Sequence, residues 1–196
     1  MSTAEWPFLL CTGRVVCYTE KRMKKIVIVP IGGIDPQITG SISKGLEAIF
    51  KVKVTEGKGL PEPRHAFDHA RKQFQAAAFL RELRASRQGE HEILLGVTDA
   101  DLFAAGLNYV FGEADIFAGL AVISLARIKQ EFYGLTPDPV LFAERAAKEA
   151  VHELGHIWGL DHCDDPACVM FFSNSIADTD AKGPGFCGKC RETLGI

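Results

Sequence analysis

The stretch HELGHIWGLDH, from His152 to His162, decides how the rest of this chain is read. His152 and His156 are four apart, so on an α-helix they share one face about one turn from each other. Glu153 lies between them and can reach a metal-bound water without itself ligating. His162 cannot join them from the same helix. Six further residues at about 100° each would turn it roughly 120° away and carry it about 9 Å along the axis. The helix must therefore stop, and Gly159 can stop it, because glycine adopts the left-handed C-terminal conformation without a Cβ penalty. The chain then doubles back, and His162 reaches the metal from the other side. Three neutral ligands, an open position and an adjacent carboxylate are what zinc-dependent peptide hydrolysis needs. A rival arrangement takes its third ligand from a later glutamate. After Glu153 only Glu192 remains, beside the C-terminus, so the three-histidine arrangement is preferred.

Four cysteines begin at the next residue: Cys163, Cys168, Cys187 and Cys190. The last two form CGKC, with AKGPGF leading into it. Two closely spaced pairs suit a closed, tetrahedral structural zinc site. Two disulfides are the alternative. They need an oxidising compartment, and no secretory signal is visible. Because Cys163 adjoins His162, ligation at one metal fixes the backbone that presents a ligand to the other. Met170 falls eight residues after His162, inside the cysteine module, and a turn carrying it under the metal is expected.

With these residues placed, the chain resembles the archaemetzincins, a branch of the metzincin zinc peptidases. The motifs that carry the resemblance read HELGHIWGLDHC, then CVM, then CGKC, and the likeness runs from about Met23 to the end. It implies a catalytic zinc on His152, His156 and His162 with Glu153 as general base, and a structural zinc on Cys163, Cys168, Cys187 and Cys190. It also implies a peptide or protein substrate. Sixteen residues separate Met170 from Cys187, one fewer than the family pattern, a small loop difference. Some metzincins place a tyrosine shortly after the methionine. Phe171 and Phe172 follow here, so no such helper carries over.

Composition sets wider bounds. The chain has 196 residues, 47% of them hydrophobic, enough for one domain with a substantial core. A net charge of −3 gives no electrostatic case for nucleic acid or an anionic membrane as partner. Apolar runs fall short of a membrane span. A cytoplasmic monomer is expected. Residues 1–22 contain Cys11 and Cys17 and do not read as a signal peptide; they are expected to be a poorly ordered extension or a start-site artefact. Residues 23–196 then form a single catalytic domain, with 163–190 as its structural zinc module.

Along that domain, residues 25–30 read as a buried strand, and 35–50 as a helix capped by Asp35 with Pro36 in its first turn. Residues 51–55 read as a strand, 64–87 as one long helix, and 91–98 as a third strand. Two more strands are expected at 108–114 and 121–128, and the metal helix at 141–159. Strands alternating with helices indicate an α/β fold, a metzincin-like three-layer sandwich with a mixed, mostly parallel sheet. By resemblance, the edge strand beside the substrate should be 108–114. His65 and His69 share the i,i+4 spacing but have no third partner, so they read as a solvated helix face. Asp161, Asp164 and Asp165 read as exposed turn residues. A non-catalytic zinc protein that binds a partner is the rival function, and Glu153 argues against it, since structure alone does not require that carboxylate. Endopeptidase and aminopeptidase remain open.

Overall fold

Alternation along the strands sorts the core into two halves. In β1 (Lys25–Ile31), Ile26 and Ile28 face one layer while Val27, Val29 and Ile31 face the other. Successive strand side chains point to opposite faces, so a strand apolar from Ile26 to Ile31 must be covered on both. The computed structural model describes residues 25–89 and 92–196. The expected extension, with Cys11 and Cys17, lies outside them.

β1 pairs in parallel with β2 (Lys53–Glu56) on one side and β5 (Glu92–Thr98) on the other. β8 (Leu120–Ser124) continues in parallel, and β7 (Gly112–Asp115) closes the sheet antiparallel to β8, giving the order β2-β1-β5-β8-β7. The sheet is thus mixed and mostly parallel, as expected. Helices α1 (Pro36–Phe50) and α3 (Pro139–Ile157) cover one face. The other is covered by α2 (Ala76–Ser86), through Phe79, Leu80 and Leu83. The result is a three-layer sandwich. After α3 come two short helices, α4 (Ile176–Ala181) and α5 (Gly188–Leu194).

Several boundaries differ from expectation. Asp35 does cap α1, accepting from the Gln37 N–H at 2.8 Å, with Pro36 in the first turn. Lys51 is not in a strand: it ends α1 in the left-handed region, with φ 56°, so β2 starts two residues later. The larger correction concerns residues 64–87. Only Ala76–Ser86 is α-helix. A short 3₁₀ turn (Arg64–Ala66) comes first, then β3 (Phe67–Asp68) and β4 (Gln73–Gln75). These two pair antiparallel, and β4 pairs in parallel with β6 (Leu102–Phe103). The Asp68 carboxylate turns the chain by accepting the Ala70 and Arg71 N–H groups, and Phe67 meets Phe74 with ring centroids 4.8 Å apart. These tertiary contacts outweigh helical propensity. His65 and His69 therefore do not share a helix face.

The strand expected at 108–114 is shorter than its sequence suggests, because the second sheet holds its first half. The Asn108 carbonyl accepts from Arg71 and Gln73, at 2.8 and 3.1 Å, and Val110 bridges Leu102. The strand expected at 121–128 ends at Ser124, whose hydroxyl donates to the Ala100 carbonyl at 2.7 Å, and a 3₁₀ turn (Ala126–Ile128) follows. No described helix is long and apolar enough to cross a membrane.

Candidate metal centres and the cleft above them

Helix α3 begins with Pro139, behind an Asp138 carboxylate that accepts the Val140 and Leu141 N–H groups. It ends as the sequence demands. Gly159 sits at φ 88°; its N–H donates to the His156 carbonyl, and the Leu160 N–H donates to Gly155. This paired closure satisfies two last-turn carbonyls and reverses the chain. It also orients a ring: the carbonyl of Leu160 accepts from His156 Nδ1 at 2.8 Å. His152 Nδ1 donates to the Val169 carbonyl, also at 2.8 Å. With both Nδ1 atoms donating, each Nε2 offers its lone pair, and the two Nε2 atoms stand 3.2 Å apart. A tetrahedral zinc with Zn–N near 2.05 Å sets ligand nitrogens about 3.3 Å apart. His162 returns to the same point, so the three ligand atoms lie within 4.8 Å of one another. Burial holds all three imidazoles below the usual histidine range and keeps them neutral, with the Lys182 charge adding to the effect at each. Neutral imidazole is the form a metal requires.

The four cysteines also converge within 4.8 Å. Cys163 Sγ is 3.7 Å from Cys187 Sγ, and Cys168 Sγ is 3.8 Å from Cys190 Sγ. A disulfide needs about 2.05 Å. Four sulfurs about 2.3 Å from one zinc stand about 3.8 Å from each other. The spacing fits a metal and rejects the bridges. A backbone N–H from Cys190 and the neighbouring thiols bring the Cys187 thiol down to about 7, whereas burial pushes Cys168 and Cys190 up.

Both clusters share one backbone segment. The Cys163 N–H donates to the Met170 carbonyl at 2.9 Å, and Val169, which orients His152, lies between Cys168 and Met170. Met170 is fully buried, and its sulfur lies where a Cβ on Gly155 would fall. Met170 thus packs against α3 at Gly155, between His152 and His156.

A cleft of about 570 Å³ opens over the histidines, between β7 with its preceding loop and the chain around His162 and Phe172. The Phe172 ring meets His162 at 4.8 Å, so an apolar ring borders the third histidine. Glu153 is buried, and that burial, helped by Glu149, raises its carboxyl well above the usual range while Lys182 opposes the rise. Its side chain lies against the α-carbon of Gly112 in β7. Asp161, Asp164 and Asp165 are exposed, and Asp165 caps a turn by accepting the Ala167 N–H at 3.0 Å.

Sequence reasoning placed Gly112 in the edge strand beside the substrate without singling it out, and it missed Glu149 and Lys182. Glu149 precedes His152 by three, so helical spacing could have placed it on the same face. Lys182 carries no such signal, because only the fold brings it to the cleft.

The family model described as Peptidase family M54 matches residues 49–195. An archaemetzincin of Pyrococcus abyssi is 43% identical over 178 residues, spanning 88% of this chain and 95% of its own. The chain belongs to the archaemetzincins, peptidase family M54. It is a zinc metallopeptidase, and its substrates are peptides or proteins. The crystal structure of the archaemetzincin from Methanopyrus kandleri superposes with a TM-score of 0.78 at 41% identity, covering 88% of this chain and 94% of that one. A zinc-dependent peptidase from Methanocorpusculum labreanum gives 0.80 at 30% identity, covering 86% and 99%. The archaemetzincin fold therefore extends across nearly all of the described chain.

Proposed function

We propose that His152, His156 and His162 hold a catalytic zinc, that Cys163, Cys168, Cys187 and Cys190 hold a structural one, and that Glu153 is the general base. The observation that carries this reading is the pair of Nδ1–carbonyl hydrogen bonds. They turn two imidazole lone pairs to the point that His162 also reaches, with Glu153 beside them. When bound, zinc supplies the Lewis acidity that lets water act as nucleophile near neutral pH and polarises the scissile carbonyl. Glu153 takes the proton from that water and delivers it to the departing amine. Burial raises its carboxyl above the usual carboxylate range, the direction that makes a carboxylate a stronger base. The peptide lies extended along β7, the sheet's edge strand, whose outer backbone groups are available for pairing.

A diverse peptide library incubated with the zinc-loaded protein, and read by mass spectrometry, tests this. Cleavage is expected, lost on chelation and restored by zinc. Persistent hydrolysis after verified removal of zinc from the histidines would overturn the assignment. The fragments also separate internal from terminal cleavage.

A further inference from the structure

The inner end of the cleft holds a buried cation with unmet hydrogen-bonding capacity. Lys182 follows α4, and its side chain is 0% exposed, yet it lines the cleft together with Glu149. Its Nζ lies 3.1 Å from Glu149 Oε1, but the angle is not that of a hydrogen bond, and the ammonium has no hydrogen-bond partner among the described residues. The same Oε1 already accepts from the Thr179 hydroxyl at 3.1 Å. The contrast with Lys148, buried on the same helix, is informative: its Nζ donates to the Thr179 and Asp180 carbonyls, at 3.1 and 3.3 Å. An ammonium carries three donors, and burying one without acceptors is costly.

We propose that this end of the cleft binds the carboxamide of a substrate glutamine or asparagine, which bridges the Lys182 ammonium and the Glu149 carboxylate from the cleft side. The proposal rests on the peptidase reading above. A carboxamide offers an acceptor oxygen for Lys182 and an NH₂ for Glu149. An alkyl side chain would leave the ammonium unmet, and a lysine would face like charge. A substrate carboxylate could accept from Lys182 but would stand beside Glu149. Glu149 lies one helical turn before His152. The occupant is therefore the side chain of a residue adjoining the scissile bond.

The test uses peptides that differ only in carrying Gln, Glu, Leu or Lys at each position flanking the cleavage site. The zinc-loaded protein gives kcat/KM, and Glu153→Gln gives affinity by fluorescence anisotropy without turnover. At one position Gln should exceed Leu and Lys by about 10- to 100-fold, the range of hydrogen bonds to charged groups. Lys182→Met alone would strand the Glu149 charge. The double variant K182M/E149L instead replaces the pair by apolar groups, an exchange that buried ion pairs often tolerate. In it the preference should pass to Leu. If the double variant does not fold, Glu149→Gln serves: freeing Lys182 from its carboxylate should raise Glu relative to Gln by about tenfold. Leu equal to or above Gln at every position, Glu tenfold above Gln in the natural sequence, or ratios unmoved by these variants would each overturn the carboxamide site. Peptides that are neither bound nor cleaved would overturn the peptidase reading beneath it.

Discussion

Gly112 is expected to matter for catalysis through the space it leaves for the Glu153 carboxylate. A Cβ at this position would stand 2.5 Å from Glu153 Oε1, 2.6 Å from Cγ and 2.7 Å from Cδ. Ordinary contact begins at 3.4 Å, so in Gly112→Ala the carboxylate must retreat by roughly 0.9 Å. Gly112 is not among the residues with positive φ, so alanine fits its backbone, and β-structure tolerates the exchange. Fold and metals should persist while the base moves. A misplacement of about 1 Å costs on the order of 100-fold in rate, equivalent to about 2.7 kcal/mol in the barrier. The assay is kcat/KM on a cleaved peptide, alongside zinc content and circular dichroism. Activity within threefold of the natural sequence, with two zinc ions bound, would refute the close-packing argument. A variant that loses metal or unfolds would also refute it, because the strain would then have reached the scaffold rather than the carboxylate.

Other outcomes follow from the same geometry. Glu153→Ala should keep the fold and both metals and lose hydrolysis; unchanged turnover in a metal-replete variant removes the general-base role. Metal analysis should give about two zinc ions per chain. Cys187→Ser and Cys190→Ser should weaken zinc at the histidines by about 10- to 100-fold, because the module carries the Val169 carbonyl that orients His152, and Cys163→Ser should be at least as damaging. Equal catalytic-zinc affinity with the cysteine site empty would make the two metals independent. In chelated protein at pH 7.5, iodoacetamide should label Cys187 before Cys168 or Cys190, since its thiol lies at about 7 while theirs are raised. Equal labelling rates by mass spectrometry would contradict that order.

The convergence of the three histidines and of the four cysteines was legible in the sequence because helical geometry and ligand chemistry restrict such groupings so tightly. The need for α3 to stop at Gly159 follows from the spacing of three histidines, and the observed turn does this while its Leu160 carbonyl orients His156. The sheet was legible because strands apolar on both faces need cover on both. The error at residues 64–87 has a different origin. Nothing local breaks a helix there, and the Phe67–Phe74 contact and the β4–β6 pairing exist only after distant chain arrives. Lys182 was invisible for the same reason. It sits twenty residues beyond the third histidine, and only α4, packed on α3 through the Arg145–Asp180 pair at 2.6 Å, carries it to Glu149.

The edge position of β7 has a consequence for the protein in concentrated solution. An open strand that can accept a peptide is also a template for another copy's open strand. β7 is only four residues long, GEAD, and two of them are acidic. Two such edges brought together antiparallel in the register that sets Glu113 against Glu113 or Asp115 would oppose carboxylates at close range, which destabilises that pairing. Asp115 is already met by Arg84 at 2.8 Å, so Glu113 is the charge that disfavours self-pairing of this edge. Glu113→Gln should leave the chain folded but more prone to concentration-dependent association through the groove proposed for substrate.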